Sequence, residues 1–172
     1  MTKAVNLRVT FFYWIVFLSV LLLLLFYSNH YIEFTDLAFH LLHVSQSKNI
    51  KIATSSYFLY LEIIYNMVGG QIAFYRQISI FILLVSAIPF LYILKKHYFK
   101  TNENLIFPLG FLATLTFYAR FILTPNYNWV CFIGLILFAA GSLNLLGNNK
   151  TNKDKPLLSG ILIGLSGWVC FT

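Results

Sequence analysis

Charge is scarce in this chain. Only 10% of its 172 residues are Asp, Glu, Lys or Arg, and just five are acidic. Soluble domains carry about 25% charged residues. That shortfall, with 59% apolar side chains and a mean hydropathy of +0.78, excludes a freestanding soluble domain and implies an integral membrane protein. Cysteine is nearly absent as well. Cys131 and Cys170 each lie inside an apolar run without a C-x-x-C partner, so no disulfide framework is implied; both read as small buried apolar side chains. There is no G-x-x-x-x-G-K-[ST] loop, no G-x-G-x-x-G after a strand and no arguable Ser-His-Asp set. An activated substrate is therefore not expected as a cytosolic nucleotide. No repeat, low-complexity tract or second domain is visible, and residues 1–172 read as one transmembrane domain.

The basic excess, a net charge of +7, does not point to nucleic acid. Its lysines form short clusters between apolar runs, where topology needs them. No basic stripe interleaved with aromatics is present, so nucleic acid is not an expected partner.

Five apolar segments emerge: Val9–Tyr27, about Gln77–Leu94, Leu105–Thr124, Trp129–Leu146 and Pro156–Thr172. In hydrocarbon each must be helical, because no water can satisfy the backbone. The expected fold is all-α, a polytopic transmembrane helical bundle of about five spans with external juxtamembrane helices. The first run exceeds the roughly 7–15 residues of a signal-peptide core, and Tyr27-Ser28-Asn29-His30 is no A-x-A-like cleavage site. It reads as an uncleaved anchor. Lys3 and Arg8 precede the first run, Lys95, Lys96 and Lys100 follow the second, and Lys150, Lys153 and Lys155 follow the fourth. Alternating helices put all of these on one side, which the positive-inside rule makes cytoplasmic. The expected location is a plasma membrane, the inner membrane of a bacterium, with the N-terminus cytoplasmic. Residues 28–76 and 125–128 are then external.

The external loop 28–76 has room for chemistry. Thr35 fits an N-cap and Asp36 the first turn of a helix. Leu37, Leu41 and Val44 then share one face, and Asp36, His40 and His43 another. A polar connector with Lys48 and Lys51 leads to Ser55–Val68, where Ser55, Glu62 and Asn66 share a face. This reads as an amphipathic helix lying on the outer surface; a spanning helix there would invert everything downstream. Gly69-Gly70 ends it. Pro108 fits the first turn of the third span, Pro125 its end, and Pro89 a kink in the second. Tyr127 and Trp129 fit an interfacial belt. Gly134 and Gly141, and Gly160, Gly164 and Gly167, form small-residue stripes suited to close helix packing.

Few residues can carry chemistry. Asp36 fits a general base on an acceptor hydroxyl, or a metal ligand; the competing reading is a helix-terminus residue beside the headgroups. Asp-x3-His-x2-His, from Asp36 through His40 to His43, could supply three ligands to a divalent metal. Glu62 fits an auxiliary acid, a partner of Lys48 or Lys51, or simply a solvated helix face. Arg76 and Arg120 lie at the outer ends of two spans. An arginine in hydrocarbon is costly unless paired or snorkelled. The two either snorkel or hold an anionic headgroup, since guanidinium grips phosphate in a bidentate manner.

The layout resembles the N-terminal part of GT-C class glycosyltransferases, the polyprenyl-phosphate-sugar-dependent membrane enzymes that include protein O-mannosyltransferases and lipid A aminoarabinose transferases. Phe34-Thr35-Asp36-Leu37 matches their acidic position after the first span, with Leu37 where many members carry a second acid. Gly69-Gly70-Gln71-Ile72-Ala73-Phe74-Tyr75-Arg76 matches the Gly and Arg that open the second span. Leu123-Thr124-Pro125-Asn126-Tyr127-Asn128-Trp129 resembles a turn of bacterial members, and Leu158-Ser159-Gly160-Ile161-Leu162-Ile163-Gly164-Leu165 the start of a later span. The resemblance implies sugar transfer from a lipid-linked donor to an acceptor on the outer face. Asp36 would be the base, and Arg76, Arg120, Glu62, Lys48 and Lys51 would contact substrate. It also implies a longer protein with further helices. The alternative class is a non-catalytic scaffold or a transporter fragment. A transporter would carry ionisable groups near the midplane, whereas the spans here hold only Arg120, near one end.

Overall fold

The computed structural model describes residues 3–30, 36–46, 57–99, 103–118, 123–147 and 155–170. Seven α-helices follow in order: α1 (Lys3–His30), α2 (Asp36–Ser45), α3 (Tyr57–Met67), α4 (Ile72–His97), α5 (Ile106–Leu115), α6 (Tyr127–Leu146) and α7 (Lys155–Cys170). Single 3₁₀ turns, Glu103–Leu105 and Thr116–Tyr118, flank α5. Every described element is helical, so the chain is an all-α bundle.

Among the described residues three stretches are long and apolar enough to cross a membrane: Leu7–His30, Ile72–His97 and Tyr127–Leu146. Ile106–Tyr118 and Pro156–Val169 are shorter apolar helices. The first two long helices overrun the apolar runs that announce them. Hydropathy marks only what suits hydrocarbon, while a helix propagates into polar flanks because each added residue gains a backbone bond. Arg76 therefore lies inside α4 instead of ahead of it. The expected third span tightens into a 3₁₀ turn at Thr116–Tyr118, and residues 119–122, including Arg120, lie outside the described residues. So do Thr35, Lys48 and Lys51. α4 runs unbroken through Pro89.

Between α3 and α4 the chain reverses at Gly69 and Gly70, with φ of 65° and 73°. Side chains rarely tolerate that region. The two amides close the end of α3 on Asn66 O and Tyr65 O, each at 3.0 Å, in the manner of a helix C-cap.

α6 and α7 form the most extensively packed pair; α4 lies against α6 and α5, and α1 against α5 and α4. A Cβ at Gly110 would fall 2.1 Å from Leu91 Cδ2, and one at Gly141 2.7 Å from Ile163 Cγ1. Small residues at both contacts let the helices approach closely. Buried Asn144 donates to Ser159 Oγ at 2.9 Å across the α6–α7 seam. The glycine stripe of α7 behaves otherwise: Gly160, Gly164 and Gly167 face open space. Ser159, Leu162 and Ser166 form the buried side instead. Cys131 also departs from expectation, being exposed on α6. The reason is common to both: in a membrane helix an apolar or small side chain suits lipid as well as protein.

Candidate functional site at one end of the bundle

α1 ends, α4 begins and α6 begins at the same end of the bundle, and Arg76 joins all three. Its Nε donates to Thr124 Oγ1 and its Nη1 to the Ser28 carbonyl, both at 3.1 Å. Arg76 is 4% exposed, so it does not snorkel. Burying a guanidinium is tolerable where its donors find acceptors. Here one is a helix-end carbonyl of α1, which lacks an intrahelical partner.

Thr124 leads into α6. Asn126 caps that helix, its side chain accepting the Trp129 amide at 3.1 Å, as N-cap residues do. Trp129 Nε1 donates to Tyr118 OH at 3.1 Å, and the residue is 3% exposed. Trp129 is therefore a buried tie between the α5 end and α6, not a belt residue. The indole N–H seeks a partner when buried, and Tyr118 supplies one. Tyr127 stays exposed.

α2 and α3 pack on each other beside this junction. His40 Nδ1 meets Tyr57 OH at 3.0 Å. The rings of His40, Tyr57 and Tyr127 stand 6.2–6.4 Å apart, which links α2 and α3 to the start of α6. Burial, and secondarily the neighbouring Tyr127, push the Tyr57 phenol above its ordinary value, so it stays protonated. His43 Nδ1 donates to Phe39 O at 2.8 Å within α2. The two histidines are buried while Phe39 is 57% exposed: α2 turns its polar edge inward and an apolar edge outward. α3 likewise exposes Leu59, Ile63 and Met67, one per turn, and buries Phe58 and Leu61. α3 is far shorter than the roughly 20 residues of a crossing helix.

Asp36 is the first residue of α2, one turn before His40 in register. Glu62 lies mid-way along α3 and is half-buried. α2 and α3 thus bring Asp36, His40, His43 and Glu62 to the end of the bundle that Arg76 secures. Among the described residues no three His, Cys, Asp or Glu side chains gather to hold a metal ion; the Asp36 side chain lies outside that set. With Nδ1 of each engaged, His40 and His43 could face a metal only through Nε2.

Two features were not anticipated from sequence. One is the Ser28–Arg76–Thr124 tie, whose partners are far apart in the chain; no local spacing announces them. The other is Tyr75, fully buried, whose hydroxyl finds no hydrogen-bond partner among the described residues and whose ring stands edge-on to Tyr65 at 5.4 Å. Beside the same end, a cleft of about 490 Å³ runs between the end of α3 and the first turns of α4. Met67, Val68, Phe74 and Phe81 line it, with the amides of Gln71 and Gln77.

No protein-family model, curated protein or solved structure matches the chain.

Proposed function

We propose that the chain is the N-terminal part of a membrane glycosyltransferase that moves a sugar from a polyprenyl-phosphate carrier to an acceptor hydroxyl at the face carrying α2 and α3. The observation that carries this reading is the position of Asp36: it opens α2, a helix held to α3 through His40 and Tyr57, at the end of the bundle where Arg76 is buried. The same end offers an apolar cleft with amides at its rim, suited to the first isoprene units of a carrier.

In this reading the Asp36 carboxylate takes the proton of the acceptor hydroxyl. The freed oxygen forms a bond to the anomeric carbon, and the carbon–oxygen bond to the carrier phosphate breaks, its electron pair leaving with the phosphate. Arg120 and the positive field of Arg76 neutralise that leaving group. Glu62, Lys48 and Lys51 contact the sugar or carrier. On this reading the face is the external one of a plasma membrane, since the positive-inside rule favours a cytoplasmic position for Lys95 and Lys96 in the last turn of α4.

A scaffold is the second reading, and one observation favours it: the guanidinium of Arg76 is occupied by the chain's own Ser28 and Thr124. Asp36→Asn in the intact protein, reconstituted with a polyprenyl-phosphate sugar, separates the two. Loss of a general base lowers transfer by about 10²–10⁴-fold. Transfer at the native rate eliminates Asp36 as the base, and no transfer by the native protein leaves the scaffold.

A further inference from the structure

We infer that the opposite end of the bundle seats the phosphate headgroup of an anionic membrane lipid. A niche of about 290 Å³ is lined by Leu7, Thr10 and Trp14 of α1, Lys95 of α4, and Asn104 and Phe107 at the start of α5. Lys95, Thr10 and Asn104 thus stand around one niche with Leu7, Trp14 and Phe107. That is the chemistry a phosphodiester with acyl chains requires: charge and hydrogen-bond donors for the head, hydrocarbon for the tails. Lys95 and Lys96 occupy the last turn of α4, and Lys95 lies two residues before the end of a candidate span. This is headgroup depth. Lys96 and Arg8, next in sequence to the lining residues Lys95 and Leu7, are exposed and add positive charge at this end of the bundle.

Two further features suit an anion. The last-turn lysines offset the negative end of the α4 dipole, and the start of α5 presents a positive one. Basic pockets between helices at a membrane face are where anionic headgroups settle. The site is remote from Asp36 and stands independently of the transferase reading.

The competing arrangement is internal: Lys95 is already engaged within the chain, and that engagement would hold its ammonium away from an external anion. The experiment decides between them. The full chain, purified in uncharged detergent, is titrated with phosphatidylglycerol, phosphatidylcholine or inorganic phosphate, read by native mass spectrometry and thermal stability. Phosphatidylglycerol is expected to remain bound and stabilise, and the other two not. Lys95→Gln should weaken phosphatidylglycerol about fivefold, the worth of one lysine at an anionic surface, while Asp36→Asn leaves it unchanged. Asn104→Leu, which keeps the charge but removes a donor and fills the niche, should also lower retention, and serves if Lys95→Gln does not fold. Equal retention of the two lipids, equal protection by inorganic phosphate, or native phosphatidylglycerol affinity in both variants overturns the inference.

Discussion

Arg76 and Thr124, 48 residues apart in sequence, meet at 3.1 Å through Nε and Oγ1. The same guanidinium reaches Ser28 O, so one side chain fastens the end of α1, the start of α4 and the approach to α6.

This tie predicts strong coupling. Each hydrogen bond to a charged group contributes about 1.5–3 kcal/mol. Arg76→Met should therefore cost several kcal/mol, and Thr124→Val about 1–3 kcal/mol by leaving a buried donor unsatisfied. In the Arg76→Met background Thr124→Val should cost much less, because residues in one network are non-additive. Unfolding of the single and double variants in detergent measures this; strictly additive losses would remove the tie.

Burial of Tyr57, and secondarily its neighbour Tyr127, predict a pH dependence. The Tyr57 phenol is raised above its ordinary 10.0, so the folded state favours the proton more than the unfolded chain does. Its contribution is fully present below pH 10 and is lost as pH rises through the folded value. Tyr57→Phe should abolish that alkaline loss and cost about 0.5–1.5 kcal/mol at neutral pH through the missing hydrogen bond. An unchanged alkaline limb in the variant would refute the assignment.

The glycines should divide by environment. Gly110→Ala drives a methyl into Leu91 and should destabilise by about 1–3 kcal/mol, the usual cost of overpacking, with Leu91→Ala restoring part of it. Gly164→Ala meets nothing within 4 Å and should be neutral or stabilising, since alanine is the better helix former. Thermal midpoints of the two variants test the contrast; equal losses would contradict the packing described here.

The legible part of the fold was the part set by local pattern. The Gly69-Gly70 reversal, α2 beginning at Asp36, and α6 ending at Leu146 follow from breakers, caps and apolar length. Trp129, Cys131 and the glycines of α7 were misjudged for one reason: an apolar helix carries no sign of which face meets lipid and which meets protein. Tyr118 decides that Trp129 is buried, and it comes from another helix. Arg76 was recognised as a polar group needing compensation, but not its partners. Ser28 and Thr124 are ordinary polar residues until the chain brings them within reach.

Sequence alone determined that this chain enters a bilayer and does so as helices, because its long apolar runs exclude water and an unsatisfied backbone is intolerable there. Only tertiary structure decided which faces pack and which polar groups meet, because Arg76 with Thr124, His40 with Tyr57, and Asn144 with Ser159 are pairs drawn from different elements. Distance along the chain carries no information about them; the packing of α1, α4, α5 and α6 does.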